Sequence, residues 1–593
     1  METSPFTSRP ILPTVTPRWA ELGQVPAEVT HALKDTLSMP GVLCALLAVR
    51  GYEDPEEAKN FLRPRFSDLA PPELLLGAEQ ATARIDQAID DGQTILVHGD
   101  YDVDGVAGAA LLTRWIHHLG GRAIPFVPNR VTDGYDLGPA GVKAAKKAGA
   151  ALIVTVDSGI RAHEVIAQAT AAGHDVIVTD HHTPAETLPP ALAIVNPNRA
   201  DCSYPNKGLC GTGVAYRLSE LLALRRGIAQ EELHSLLDLV AIATIADVAP
   251  LNQENRTLVR YGLKALARTQ IPGLRALLKS TGLGDRQVEA GQVAFQLAPR
   301  INAGGRMGEA MTALDLLMTD DSAKAQQLAD QLEIDNNKRR EEEARTLREV
   351  LDKLNVTFDP ERDFGVVVEG VGWHPGVIGI VASRIVDRIH RPTVLVTVSN
   401  GQGRGSARSI PGFNLFGAIS SCREHLGRFG GHRAAAGMDI ASDRIDPFRE
   451  AFNKEARERL GGEVPYPTLK PELEIRLSEA TEEVAHLLSY FGPFGIGNPN
   501  PVFLARGVGL LSPAREVGDG HLKLKVSQQD CSLDAIGFNL IERIPPESLG
   551  TGPVDLVFKL KLGVFRGRRR VEAHVLDVRP SEVGGVGFRG NTE

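Results

Sequence analysis

Between about Gln93 and Asn198, short apolar runs alternate with stretches of helical periodicity. Ile95–Val97, Ala123–Val127, Leu152–Val156, Val176–Val178 and Ala193–Val195 read as buried strands, and Gly108–Leu119, Pro139–Ala148 and Ala162–Ala172 as helices between them. Strands alternating with helices imply βαβ units, hence a mostly parallel sheet covered on both faces. Val214–Leu317 is mostly helical in pattern, with Leu233–Ile245 almost continuously apolar. The charged stretch Ser322–Leu354, which contains three basic then three acidic residues at Lys338–Glu343, predicts a long connecting helix with a solvated face. A second α/β unit spans about Phe364 to Leu460, and the prolines around Pro465–Pro471 mark a linker. Val502–Leu511, His521–Val526, Leu533–Phe538, Val554–Leu562 and Val571–Val578 then read as strands of a small barrel, for which an OB-fold is the obvious choice. The predicted division is 1–80, 81–320, 321–358, 359–464 and 465–593.

Composition narrows the setting. No apolar run approaches the roughly 18–20 residues of a membrane span. Met1–Thr16 is rich in Pro and Thr and lacks the apolar core of a secretory signal. The five cysteines (Cys44, Cys202, Cys210, Cys422, Cys531) are scattered and form no CxxC pair, so a reducing, cytoplasmic setting without structural zinc is expected. The net charge of −9 argues against a cationic nucleic-acid coat only as an average. Leu556–Arg579 holds seven basic residues, among them Lys559, Lys561 and the run Arg566–Arg570, against Glu572 and Asp577. Phe538, Phe558 and Phe565 lie in the same region and are expected in its core.

The chemistry begins where the first strand ends, at His98-Gly99-Asp100-Tyr101-Asp102-Val103-Asp104-Gly105. The carboxyl ends of strands are where open α/β sheets bind ligands. Three carboxylates there repel one another unless a cation is bound. An EF-hand would need Glu where Leu111 stands, and would not follow a strand. Asp157, Asp180-His181-His182 and Asp247 each follow a later apolar run. A cap or turn explains any one of them; four converging on one rim point to a site. Carboxylates and imidazoles without thiolates fit Mn²⁺ best, with Mg²⁺ or Co²⁺ as substitutes. So many ligands suit two ions about 3.5–4 Å apart, an arrangement made for phosphoester hydrolysis.

Asp180-His181-His182 is the signature triplet of the DHH phosphoesterase superfamily, and with the motifs at His98–Gly105, Asp157 and Asp247 the chain resembles that superfamily in all four of its motifs, in order. Within it, the chain is similar to the bacterial single-strand-specific 5′→3′ exonucleases over nearly its whole length. The resemblance implies that His98, Asp102 and Asp104 are metal ligands, that Asp157 bridges two ions, and that His181 and Asp247 complete the second site. Asp100 and His182 are implied as further catalytic groups, with His182 donating to the scissile phosphate. The second unit resembles the DHH-associated domain through Gly403–Ser409 and Gly430–Gly437, where Ser406, Arg408 and His432 are expected to hold the terminal phosphate. Arg300 and Arg306, in a further similar motif, would line the strand's path, although local carboxylates would equally pair them. Trp373–Gly379 is expected to be structural. The implied partners are single-stranded DNA with a 5′ end, a single-strand-binding protein and a helicase, for a monomeric enzyme of DNA repair and recombination. Two alternatives share the metal motifs. One is a small-substrate DHH phosphoesterase (a manganese pyrophosphatase or a nanoRNA/pAp phosphatase), which has no need of a basic β-module. The other is a non-catalytic DNA-binding scaffold, for which intact ligands would be superfluous.

Overall fold

The computed structural model describes residues 12, 14–130, 132–134, 136–284, 286–565 and 568–581. They form two compact units: residues 59–339 with 490–500, and the segments up to 58, 340–489 and from 501. Among the described residues no helix is long and apolar enough to cross a membrane.

The first unit is built on a five-stranded parallel sheet. From edge to edge its strands are Arg122–Phe126, Thr94–Gly99, Leu152–Val156, Asp175–Thr179 and Ala193–Val195. Each central strand is buried on both faces. Ile95, Val97, Leu152, Val154 and Ile177 enter one core, and Leu96, Ile153, Val176 and Val178 enter the other. This is why these strands read as unbroken apolar runs. Each fully buried aliphatic side chain contributes about 1.5–3 kcal/mol through removal from water. The chain order reverses around Thr94–Gly99, so the carboxyl ends of Thr94–Gly99 and Leu152–Val156 flank the topological switch point.

Two elements differ from expectation. The helix predicted to begin at Gly108 begins at Val103. Asp102 accepts hydrogen bonds from the N–H groups of Asp104 (3.0 Å) and Gly105 (3.2 Å), capping the helix inside the acidic motif. Asp247 ends the helix Leu237–Ala246, so it does not follow a strand and does not lie on the sheet's rim as a strand terminus. That helix packs against Val103–His118 and is buried on every side, almost wholly by apolar residues, which removes the periodicity that would distinguish it from a buried strand.

Ser322–Thr357 is one 36-residue helix, and the boundary between the units falls within it, after Arg339. In the second unit a mixed sheet has the order Phe429–Gly431, Ala435–Ala441, Gln402–Arg408, Thr393–Ser399, Val366–Val371. Only the last two are parallel. A closed β-barrel follows. Phe503–Leu510 pairs with Val554–Phe565, which pairs with Arg568–Pro580, then Cys531–Gly537, then His521–Gln528, which returns to Phe503–Leu510. The five predicted strands are therefore present and closed into the expected barrel. The linker is not unstructured: Thr468–Leu469 pairs in parallel with Arg18–Trp19.

Candidate metal centre

The turn after Thr94–Gly99 folds back on the first turn of the helix it feeds. A Cβ on Gly105 would lie 2.2 Å from the backbone nitrogen of Asp100, and one on Gly99 would lie 2.2 Å from the Gly105 carbonyl oxygen. Only glycine at both positions allows the acidic groups this close together. Asp157, at the end of its own strand, has φ +61, a left-handed conformation that Asp tolerates better than most residues. Three groups of donors result, each with its atoms within 4.8 Å of one another: Asp100, Asp102 and Asp157; Asp157, His181 and His182; Asp104, His181 and Asp247. His181 Nε2 lies 3.1 Å from Asp157 Oδ1, 3.8 Å from Asp104 Oδ2 and 3.9 Å from Asp247 Oδ2. His98 belongs to none of the three groups. It is fully buried, and a Cβ on Gly141 would meet its Nε2 at 2.9 Å.

Hydrogen bonds hold the candidate ligand side chains. Asp104 accepts from the N–H groups of Gly211 (2.6 Å) and Thr212 (2.7 Å) at the start of the helix Gly211–Arg226. Asp180 accepts from the backbone N–H groups of His181 and His182 and from Ile160, and lies 2.7 Å from His182 Nδ1. It is thus an orienting group within the triplet. Asn196 and Asn198 donate to the carbonyls of His182 and His181 (2.9 and 2.5 Å). Sequence reading missed Asp136, whose Oδ1 accepts from Gly159 N–H (2.5 Å) and Leu137 N–H (2.8 Å). Its stretch, Asp133-Gly134-Tyr135-Asp136, looks like any polar turn, and Tyr135 lies outside the described residues. Also missed was Arg130, which stacks 5.1 Å from the ring of Tyr101.

The electrostatics call for a cation. Burial, then the charge of Asp102, pushes Asp100 up to about 8. Burial, then Asp104 and Asp102, does the same to Asp247, to about 8. Asp157 is raised well above the carboxylate range by burial and then by Asp104, Asp102, Asp100 and Asp180. None of the leading influences on these three groups is an arginine or a lysine. Burial lowers His98 to about 4 and also lowers His181, so both rings are neutral and able to ligate. For His182 burial works against the charge, but the hydrogen bond and charge of Asp180 outweigh it and raise the ring to about 9. Both ring nitrogens of His98, Asp100 Oδ1, Asp157 Oδ1 and His181 Nε2 are buried and make no well-aligned hydrogen bond, although the last two face each other at 3.1 Å. Buried polar atoms are almost always satisfied; of the thirteen side-chain atoms left unsatisfied among the described residues, these five belong to the acidic and histidine motifs. The donor set therefore fits a divalent cation.

The other predicted residues have mixed fates. Nη1 of Arg300 donates to the Gln296 carbonyl (2.6 Å) and its guanidinium pairs with Glu333, so it is engaged locally. Arg306, on the same helix Ala298–Met307, acts electrostatically on Tyr101. In the second unit Ser406 and Arg408 share the strand Gln402–Arg408, and Arg408 Nη1 donates to Ser406 Oγ (3.1 Å). A Cβ on Gly379 would meet Arg408 Nη2 at 2.7 Å and Ser406 Oγ at 2.8 Å, so glycine keeps room for this pair. His432 is exposed in the turn between Phe429–Gly431 and Ala435–Ala441. Trp373 is buried and donates to Glu349 (2.7 Å).

On the barrel, Lys523, Ile536, His574 and Lys559 stand opposite one another on four adjacent strands, and Lys525, Asp534, Glu572 and Lys561 form the next row. Phe558 is in the core as expected, whereas Phe538 is 50% exposed, edge-on to His521 and His574. It continues the polar outer face of its strand, where packing does not reach. Arg566 and Gly567 lie outside the described residues, as do the side chains of Phe565 and Arg568.

Comparison with known proteins places this arrangement. Residues 94–244 match the model of the DHH family, N-terminal domain; residues 363–458 match the DHHA1 domain, and residues 472–577 the RecJ OB domain. Together they define the class: a DHH-type catalytic lobe followed by its associated domain and an OB domain. The chain is 36% identical to the single-stranded-DNA-specific exonuclease RecJ of Escherichia coli, over 93% of this chain and 98% of that one. It is 35% identical to the Bacillus subtilis protein of the same name, over 95% and 71% respectively. The chain belongs to the RecJ family. The crystal structure of Thermus thermophilus RecJ in complex with Mn²⁺ superposes with a TM-score of 0.82 at 33% identity, covering 96% of this chain and 81% of that one. The same protein with Mg²⁺ gives 0.76 at 31% identity, covering 96% and 80%.

Proposed function

We propose that this protein is a Mn²⁺-dependent exonuclease that removes nucleotides from the 5′ end of single-stranded DNA, in repair and recombination. The observation that carries this reading is the convergence of seven carboxylate and imidazole side chains at the switch point of the parallel sheet, with unsatisfied buried atoms among them. We assign Asp100, Asp102 and Asp157 to one ion, and Asp157, Asp104, His181 and Asp247 to a second, with Asp157 shared. His98 is assigned to the first, because it is the penultimate residue of the strand that feeds that loop and both its nitrogens lack partners. Two bound divalent cations supply Lewis acidity and offset the clustered negative charge.

The chain's own residues do the rest. Asp180 fixes His182 through Nδ1, leaving Nε2 free to donate to the scissile phosphate. Asp104, anchored on two helix N–H groups, cannot swing away when substrate enters. Ser406, Arg408 and His432 hold the terminal phosphate, Arg306 lies along the strand's path, and Arg300 joins it only by leaving Glu333. Lys525, Lys559 and Lys561 of the barrel, with Phe538, grip the strand, as OB-folds do through a cationic groove and exposed rings. A helicase that produces single strands and a single-strand-binding protein that presents them are the partners this activity needs, and the enzyme acts as a monomer.

The test is incubation of 5′-labelled and 3′-labelled single strands with protein and Mn²⁺. Release of mononucleotide from the 5′ label first is expected. No degradation excludes a nuclease, and loss from the 3′ label first reverses the polarity.

A further inference from the structure

The chain leaves the second unit after Ser489, spends Tyr490–Asn500 in the first, and returns at Pro501 to enter the barrel strand Phe503–Leu510. This excursion is firmly anchored. Buried Arg256 donates to the carbonyls of Phe491 (2.7 Å) and Tyr490 (2.9 Å), and Phe491 packs edge-on against Phe61 (5.7 Å). Buried Asn498 closes the loop on itself, donating to the carbonyls of Phe491 and Pro493 (both 2.8 Å).

What the loop rests against is the turn that follows Asp247. Val248 in that turn has φ +61 and is 61% exposed. A β-branched residue in the left-handed region costs of order 1–2 kcal/mol and persists only where its surroundings enforce it. On one side the enforcement is local: Val248 and Ala249 N–H donate to the carbonyls of Ile245 and Thr244. On the other side it comes from buried Asn255, whose Nδ2 donates to the Pro250 carbonyl (3.0 Å), and from the excursion. Leu251 N–H donates to the Ile496 carbonyl at 2.6 Å. A Cβ on Gly495 would meet Leu251 Cδ1 at 2.7 Å, and one on Gly497 would meet Pro250 Cβ at 3.2 Å.

We propose that Tyr490–Asn500 is a positioning element of the metal centre: by seating Pro250 and Leu251 it fixes the turn that presents Asp247 to His181 and Asp104. This rests on the metal-centre reading above. Its test is Mn²⁺ binding to the whole protein without DNA, followed by calorimetry and by the electron paramagnetic resonance of free Mn²⁺. Gly497→Ala is expected to weaken Mn²⁺ binding tenfold or more. Gly495→Ala, whose backbone is unstrained, is a second route to the same displacement and is expected to do likewise. Gly173→Ala is the control for strain: φ is +92 in the same unit, and nothing lies within 4 Å of its Cβ. It should lower the melting temperature through strain alone while leaving Mn²⁺ affinity unchanged. Wild-type affinity in both Gly497→Ala and Gly495→Ala overturns the positioning role, as does an equal loss in Gly173→Ala. A wild-type protein that takes up no Mn²⁺ overturns the metal centre itself.

Discussion

Asp157 and Asp136 both place a carboxylate on a left-handed backbone, with φ of +61 and +72. Asp157 was legible from sequence because it ends an apolar run. Asp136 was not, since its neighbours are turn residues and its role is set by Gly159, which is 23 positions away. Arg300 shows the opposite limit: its motif left both a place along the strand's path and a local carboxylate open, and the fold supplied Glu333. Such partners are decided by tertiary packing, which no local pattern encodes. For Asp157 the expected consequence is specific. Asp157→Asn keeps a residue that tolerates the left-handed region but removes the charge. Cleavage should fall about 10³-fold or more, a loss of about 4 kcal/mol of transition-state stabilisation. The metal-free variant should melt higher than wild type, because a buried carboxylate repelled by Asp104, Asp102 and Asp100 is gone. Wild type should gain about 2.7 kcal/mol at a metal concentration a hundredfold above Kd, and the variant much less. Thermal melts with and without Mn²⁺ check both statements; equal gains would remove Asp157 from the site.

At the scale of elements, the strands of the parallel sheet and barrel were legible because burial on fixed faces leaves a pattern of apolar residues. The two-residue pairing of Arg18–Trp19 with Thr468–Leu469 was not, because its halves lie far apart in sequence. It is nonetheless well secured. Trp19 Nε1 donates to buried Asp577 at 2.6 Å, Arg579 stacks 4.4 Å from the indole, and Arg388 donates to the Leu12 carbonyl. The N-terminal strap thereby touches the mixed-sheet lobe, the linker and the barrel, all within one unit. Trp19→Phe removes the donor to Asp577 and should cost about 1.5–3 kcal/mol of local stability. Hydrogen exchange should accelerate at residues 18–20 and 468–469; unchanged protection would show that the strap is held without the indole.

For the molecule as a whole, the net charge of −9 is an average over an acidic centre and a basic barrel face. A chain ending at Asn500 keeps the excursion but lacks the barrel. It should bind long single strands more weakly, with a shallower salt dependence, by about 0.7 in log–log slope for each phosphate the barrel would have neutralised. Cleavage of short oligonucleotides should be spared. Filter binding across a salt series decides this, and an unchanged slope would deny the barrel any part in gripping DNA. The excursion also sets an order in time. A ribosome that has finished the parallel-sheet lobe at Arg339 must still make the 150 residues Arg340–Ser489 before Tyr490 appears. At roughly 5–20 residues per second this takes roughly 8–30 s. On the positioning role proposed for the excursion, the turn bearing Asp247 stands without that support through the interval, so the proposed metal centre is completed only after the mixed-sheet lobe has been synthesised.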